Sequence, residues 1–143
     1  MGPLGRPPPP CLRVSYTWTV QTWNLAGYGP WSQVFTFTIQ AAVPGAITLI
    51  SPSALNAQAP GTVRYTWQAD AAATWYELYV VQNGTVFKDK WFTLTDSVGA
   101  AGSFGVDVDG HSRGTYQWWV RGWSPDGLGP WSGPMSFEVI TVY

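Results

Sequence analysis

Residues 113–132 read Arg-Gly-Thr-Tyr-Gln-Trp-Trp-Val-Arg-Gly-Trp-Ser-Pro-Asp-Gly-Leu-Gly-Pro-Trp-Ser. A hundred residues earlier, Arg13, Tyr16, Trp18, Val20, Trp23, Gly27, Gly29, Pro30, Trp31, Ser32 and Phe37 stand where Arg113, Tyr116, Trp118, Val120, Trp123, Gly127, Gly129, Pro130, Trp131, Ser132 and Phe137 stand, without a gap. Tyr116, Trp118 and Val120 alternate with Gln117, Trp119 and Arg121, the period of two that places one face of a strand in a core. A period of about 100 residues is the length of one two-sheet β-sandwich. Residues 13–40 therefore read as a β-hairpin equivalent to the last two strands of a preceding repeat, and residues 44–143 as a complete unit.

Working outward, an apolar run from Ala46 to Ile50 reads as an edge strand ending at Ser51-Pro52, and residues 53–61 as a loop. Val63, Tyr65 and Trp67 alternate with Arg64, Thr66 and Gln68. A third strand spans 74–82 and meets Asn83-Gly84, where both residues tolerate the positive φ of a type I′ turn, so 85–93 folds back antiparallel. After a small, Gly-rich loop, Phe104, Val106 and Val108 alternate again, and Asp109–Arg113 reads as a turn. The last strand runs from about Trp131 to Thr141 with Met135, Phe137 and Val139 on one face. Seven short strands separated by turn signals make an all-β, immunoglobulin-like sandwich preceded by a hairpin. The full unit holds no Cys, which excludes the disulfide-bonded members of that architecture.

Ten Trp, seven Tyr and six Phe against 10% charged residues supply a heavy apolar load, and 16 Gly with 12 Pro punctuate it, leaving little that favours a helix. Net charge is −1 and the seven Lys and Arg are scattered, so nucleic acid is not an expected partner. No stretch approaches the roughly 18 apolar residues of a membrane helix, and no membrane insertion is expected. Residues 1–12 form a Pro-rich arm with no apolar secretion core, its Pro7–Pro10 run reading as an extended polyproline segment. Any export signal would lie outside this chain. Cys11 is the only cysteine and reads as a free thiol in that arm.

Tyr116, Trp118, Val120, Ser124, Gly127, Gly129 and Ser132 resemble the sixth strand, following loop and last strand of a fibronectin type III domain, and residues 16–32 match the same pattern with Asn24 in place. Trp67 and Tyr76 stand where that family keeps a second-strand Trp and a third-strand Tyr. More specifically, Ala73–Val80, Lys90–Thr93, Tyr116–Val120 and Gly127–Ser132 look like the Trp-rich version found in multi-repeat surface and secreted proteins of bacteria. The resemblance implies a fibronectin type III sandwich at the cell surface or outside the cell, with Tyr116 as a tyrosine corner bonded back to the chain before its strand. It also implies that Gly127 and Gly129 permit a tight loop. The Gly129–Ser132 segment is similar to the tryptophan and serine motif of cytokine receptors, with one Trp-Ser pair rather than two, which implies stacking of Trp131 on an Arg such as Arg121.

Catalysis finds no constellation: His111 is the only histidine and lies in an expected turn, so no triad can be assembled around it. No metal or cofactor is expected, since one His and one Cys a hundred residues apart form no ligand cluster. Asp107-Val108-Asp109-Gly110 lacks the remaining acids of a calcium loop. Asn83-Gly84-Thr85 is a glycosylation sequon by letter, although a tight hairpin turn explains it as well.

Two surfaces remain. Tyr16, Trp18 and Val20 on one strand and Phe35, Phe37 and Ile39 on the next make an apolar hairpin face, and a lone hairpin is marginal in water. Its expected partners are adjacent repeats or other copies of the chain, by strand addition that could build a filament. On the complete unit, alternation sends Trp75, Glu77, Tyr79, Trp119 and Arg121 outward, with Trp91 and Trp123 as candidates to join them. That aromatic face reads as a protein contact, as a stacking platform for glycans, or as a shield for the sheet beneath. The expectation is a non-catalytic structural or adhesive module, with carbohydrate binding as the alternative.

Overall fold

The computed structural model describes residues 7, 14–39 and 42–141; most of the Pro-rich arm, Cys11 included, lies outside them. In chain order the strands are β1 (Val14–Trp18), β2 (Gln21–Asn24), β3 (Gly27–Trp31), β4 (Phe35–Ile39), β5 (Leu49–Ser51), β6 (Gly61–Gln68), β7 (Trp75–Gln82), β8 (Thr85–Thr93), β9 (Ser103–His111), β10 (Gly114–Ser124), β11 (Gly127–Leu128) and β12 (Met135–Val139). The only helical turn among the described residues is a 3-10 turn at Leu94–Asp96.

From β5 onward the strands form two sheets. One has the order β5-β6-β9; the other has β11-β10-β7-β8, with β12 continuing on the β11 side of β10. Counting β11 and β12 as two pieces of one last strand gives seven strands, three facing four. This is the immunoglobulin-like sandwich expected from the alternation. Val63, Tyr65 and Trp67 of β6 pair with Val108, Val106 and Phe104 of β9, and all six are buried. From the facing sheet, Tyr76, Leu78, Val80, Tyr116, Trp118, Val120, Phe137 and Val139 complete the core. Trp67 and Trp118 are its largest members, fully covered. Trp67 stacks on Phe104 at 5.1 Å, and the Trp118 indole N–H donates to the Pro52 carbonyl at 3.1 Å. Burying each such ring is worth several kcal/mol against leaving it in water.

Local chemistry explains the turns. Asn83 at φ 48° and Gly84 at φ 83° form the β7–β8 hairpin turn, and the Asn83 side-chain Oδ1 accepts the Thr115 N–H at 3.1 Å, tying that turn to β10. The Tyr116 hydroxyl donates to the Ser112 carbonyl at 2.8 Å and accepts the Ser112 N–H at 3.1 Å, the corner that the resemblance implied. The segment Ala42–Pro44 is seated on the sandwich. Ser124 Oγ donates to the Ala42 carbonyl at 2.8 Å, and Pro44 packs so close to Gly129 that a Cβ there would lie 2.5 Å from the Pro44 carbonyl oxygen.

Several expectations about strand ends need correction: the last strand is β12, Met135–Val139, rather than a strand from about Trp131 to Thr141, and Val20 lies beyond the end of β1 at Trp18. Of the apolar run Ala46–Ile50, only the end becomes strand, because β5 pairs with β6 through Leu49 and Ser51 alone; Ile47 is buried without joining a ladder. His111 is no turn residue. The β6–β9 ladder runs on to pair Gly61 with His111, which carries the imidazole into the core at 3% exposure. There Nδ1–H donates to the Gly61 carbonyl at 3.2 Å, leaving Nε2 to accept the Tyr65 hydroxyl at 2.8 Å. Burial holds the His111 pKa below its ordinary value and pushes that of Tyr65 up.

Candidate functional site

The N-terminal hairpin repeats the local structure of the β10–β12 hairpin but lacks its surroundings. Strand β1 pairs with β4 in the register Tyr16↔Phe37 and Trp18↔Phe35, as β10 pairs with β12 in Tyr116↔Phe137 and Trp118↔Met135. Ser32 bonds Val20 from both its N–H (2.8 Å) and its Oγ (2.9 Å), and Ser132 does the same to Val120 at the same distances. Tyr16 stacks on Phe37 at 5.3 Å and Trp18 on Phe35 at 5.2 Å. Among the described residues, strands β1–β4 pair only with one another. The six expected assembly residues, Tyr16, Trp18, Val20, Phe35, Phe37 and Ile39, are 45–59% exposed, whereas Tyr116, Trp118, Val120, Phe137 and Val139 are at most 1% exposed.

The second site lies on the outer face of β7, β8 and β10. Alternation places Trp75 opposite Trp123, Glu77 opposite Arg121 and Tyr79 opposite Trp119 on β7 and β10, and Trp91 beside Glu77 on β8. The Arg121 guanidinium lies 4.3 Å from the Trp131 ring centroid and 5.7 Å from that of Trp91, while its Nε–H donates to Glu77 at 2.5 Å. This is the Trp131–Arg121 stack that the resemblance implied. Covered in this way, Glu77 is 5% exposed. Its pKa is raised by burial and by Asp89, against the opposing pull of Arg121.

Tyr79 continues the row, with the Trp119 ring at 5.8 Å and the Trp131 ring at 6.1 Å, inclined to it by 56° and 58°. Between them opens a groove of about 340 Å³ lined by Tyr79, Trp119, Trp131 and Ser132. The aromatic face is smaller than alternation suggests. Trp91 and Trp123 belong to it by parity but are 9% and 5% exposed, so neither offers a free ring face; Arg121 lies over Trp91. Trp75, Tyr79, Trp119 and Arg121 are partly exposed. Trp131 was missed as a groove residue because Pro130–Gly133 is not strand, and alternation says nothing about where a loop ring points. The Gly-Pro-Trp-Ser spelling was the signal that could have found it.

Among the described residues no group of three or more His, Cys, Asp or Glu side chains could hold a metal ion. None of the described helices is long and apolar enough to cross a membrane.

The three-on-four sheet order, the tyrosine corner and the Arg–Trp stack define an immunoglobulin-like sandwich of fibronectin type III-like arrangement. No protein-family model and no curated protein matches the chain. Among solved structures, the chain is similar to chitinase ChiW from Paenibacillus sp. str. FPU-7, a bacterial cell-surface-expressed multi-modular enzyme machinery, with TM-score 0.53 and 12% identity over 71% of this chain and 9% of that one. The FN1-FN3 domains of chicken CNTN1 align at TM-score 0.49 and 13% identity over 93% of this chain and 44% of that one. The chain thus spans less than half the length of both, and at such identities the likeness is one of fold.

Proposed function

We propose that this chain is a non-catalytic structural or adhesive module of an extracellular tandem array, joined to a neighbouring repeat or subunit through its N-terminal hairpin. One observation carries the reading: in a hairpin built like β10–β12, Tyr16, Trp18, Val20, Phe37 and Ile39 are about half exposed, whereas their counterparts Tyr116, Trp118, Val120, Phe137 and Val139 are buried. In the sandwich the rings set against Tyr116, Trp118 and Phe137 from the β5-β6-β9 sheet are Tyr65, Trp67 and His111, and their counterparts would cover Tyr16, Trp18 and Phe37. A neighbour offering that sheet gains the burial that a lone hairpin lacks. Cell-surface display is supported by the likeness to a module of a multi-modular surface enzyme.

The experiment is sedimentation velocity on the full chain of 15.7 kDa and on its Trp18→Asp/Phe37→Asp variant. Association of the parent that the double variant abolishes, with unchanged far-UV circular dichroism, supports the reading. A parent that sediments as a monomer at high micromolar concentration overturns it.

A further inference from the structure

Of the rings lining the groove between Tyr79, Trp119 and Trp131, Trp131 recurs in the earlier copy as Trp31, but Trp119 is not something the fold requires. The repeat retains the residues that build the hairpin, yet at the positions of Trp119 and Arg121 its earlier copy carries Thr19 and Gln21. A large outward ring that the scaffold can do without, set beside two further rings, marks an interaction site.

The lining specifies the ligand. Tyr79, Trp119, Trp131 and Ser132 are all uncharged, and the neighbouring Arg121 is neutralised by Glu77. A flat sugar ring stacks best on one plane, whereas rings inclined by 56° and 58° to Tyr79 form wedges that receive a ridged rod. The two flanking rings stand 5.8 and 6.1 Å from Tyr79, and two residues of a polyproline II helix advance by roughly 6 Å. Such a helix has no internal hydrogen bonds, so its carbonyls need donors. Among the described residues, neither the Trp119 nor the Trp131 indole N–H has a hydrogen-bond partner. Aromatic-lined grooves are the usual receptors for Pro-rich segments, and this chain contains four consecutive prolines, Pro7–Pro10.

We propose that the groove is a polyproline II receptor and that its occupant is the chain's own Pro7–Pro10 run, of which Pro8–Pro10 lie outside the described residues. The inference goes beyond the hairpin reading and does not depend on it. Insertion of one copy's arm into another's groove is a head-to-tail contact.

The test uses the full chain with Pro7→Ser, Pro8→Ser, Pro9→Ser and Pro10→Ser, which cannot fill its own groove. A synthetic peptide of residues 4–13 carrying Cys11→Ser is titrated into it, following intrinsic Trp fluorescence and the indole N–H resonances. Saturable binding is expected, at least tenfold weaker when Trp119→Ala or, as a second variant, Tyr79→Ala is added to a chain whose circular dichroism is unchanged. The proposal is overturned if no binding occurs, if a peptide with its prolines replaced by Ala binds equally well, or if both variants bind as the parent does. Saturation by cellotetraose or chitotetraose without peptide binding overturns it in favour of a glycan site.

Discussion

The hairpins β1–β4 and β10–β12 carry the same residues at eleven of the positions from 13 to 40, adopt the same register and make the same Ser–Val bonds. Tyr116 and Trp118 are nevertheless fully buried, while Tyr16 and Trp18 are about half exposed. Short-range sequence thus dictates the hairpin, whereas burial is a property of the sheets placed against it. A residue type at a repeat position does not carry its energetic weight with it.

The largest expected contrast lies at the inner tryptophans. Trp118→Ala should lower the stability of the sandwich by about 3–5 kcal/mol, since it opens a core cavity, and Trp18→Ala in the unassembled chain by less than about 0.5 kcal/mol. Urea denaturation followed by circular dichroism measures both, and equal losses would break the contrast.

Next comes the exchange of a repeat position. Arg121→Gln installs the residue found at Gln21 and leaves Glu77 buried without its partner. Removing one member of a buried pair costs about 3–5 kcal/mol; with the Arg121 side chain 26% exposed, a loss nearer 1–3 kcal/mol is expected. A Glu77→Gln/Arg121→Gln double variant should recover part of that loss, which a double-mutant cycle would register.

Smaller still is the Ser pair. Ser132→Ala strips the buried Val120 N–H of its acceptor and should cost about 1–2 kcal/mol, whereas Ser32→Ala, at a site open to water, should stay within about 0.5 kcal/mol.

The smallest effect is one that only the sandwich can show. The His111 imidazole ordinarily titrates near 6.5, and burial lowers that value in the fold. Between the two values the unfolded chain binds more protons than the folded one, so this stability is complete above pH 6.5 and is lost as pH falls through the folded value. Glu77 contributes with the opposite sign, because its folded pKa is raised: its contribution declines as pH rises from the ordinary carboxylate range through the folded value. The difference between parent and His111→Gln in urea midpoint at pH 8, 6.5 and 5.5 isolates the His111 part. A difference independent of pH would remove that role.

Alternation made the scaffold legible. Val63, Tyr65 and Trp67, or Tyr116, Trp118 and Val120, need only a period of two to declare which way they face, and Asn83-Gly84 needs only its φ preference. What sequence could not reach were pairings set by distant strands. The β6–β9 ladder pulled His111 out of an expected turn, and pairing with β6 through Leu49 and Ser51 alone shortened β5. On the outer face, parity placed Trp75, Tyr79 and Trp119 together, as their register shows, with Trp91 and Trp123 only as candidates to join them. Exposure along that face depends instead on which long side chain lies over which ring, and on a loop ring, Trp131, whose direction no periodicity encodes.

The seat of Ala42–Pro44 on the sandwich has a mechanical consequence. Tension applied along the chain from the hairpin arrives at Ser124 and Gly129, around the end of β10, the strand bonded to β7 on one edge and to β11 and β12 on the other. It does not arrive first at β5, a three-residue strand at the sheet's margin that would peel away with little resistance. A row of such units pulled end to end would therefore give at its linkers before any sandwich opened, and the proline clamp would act as the fuse.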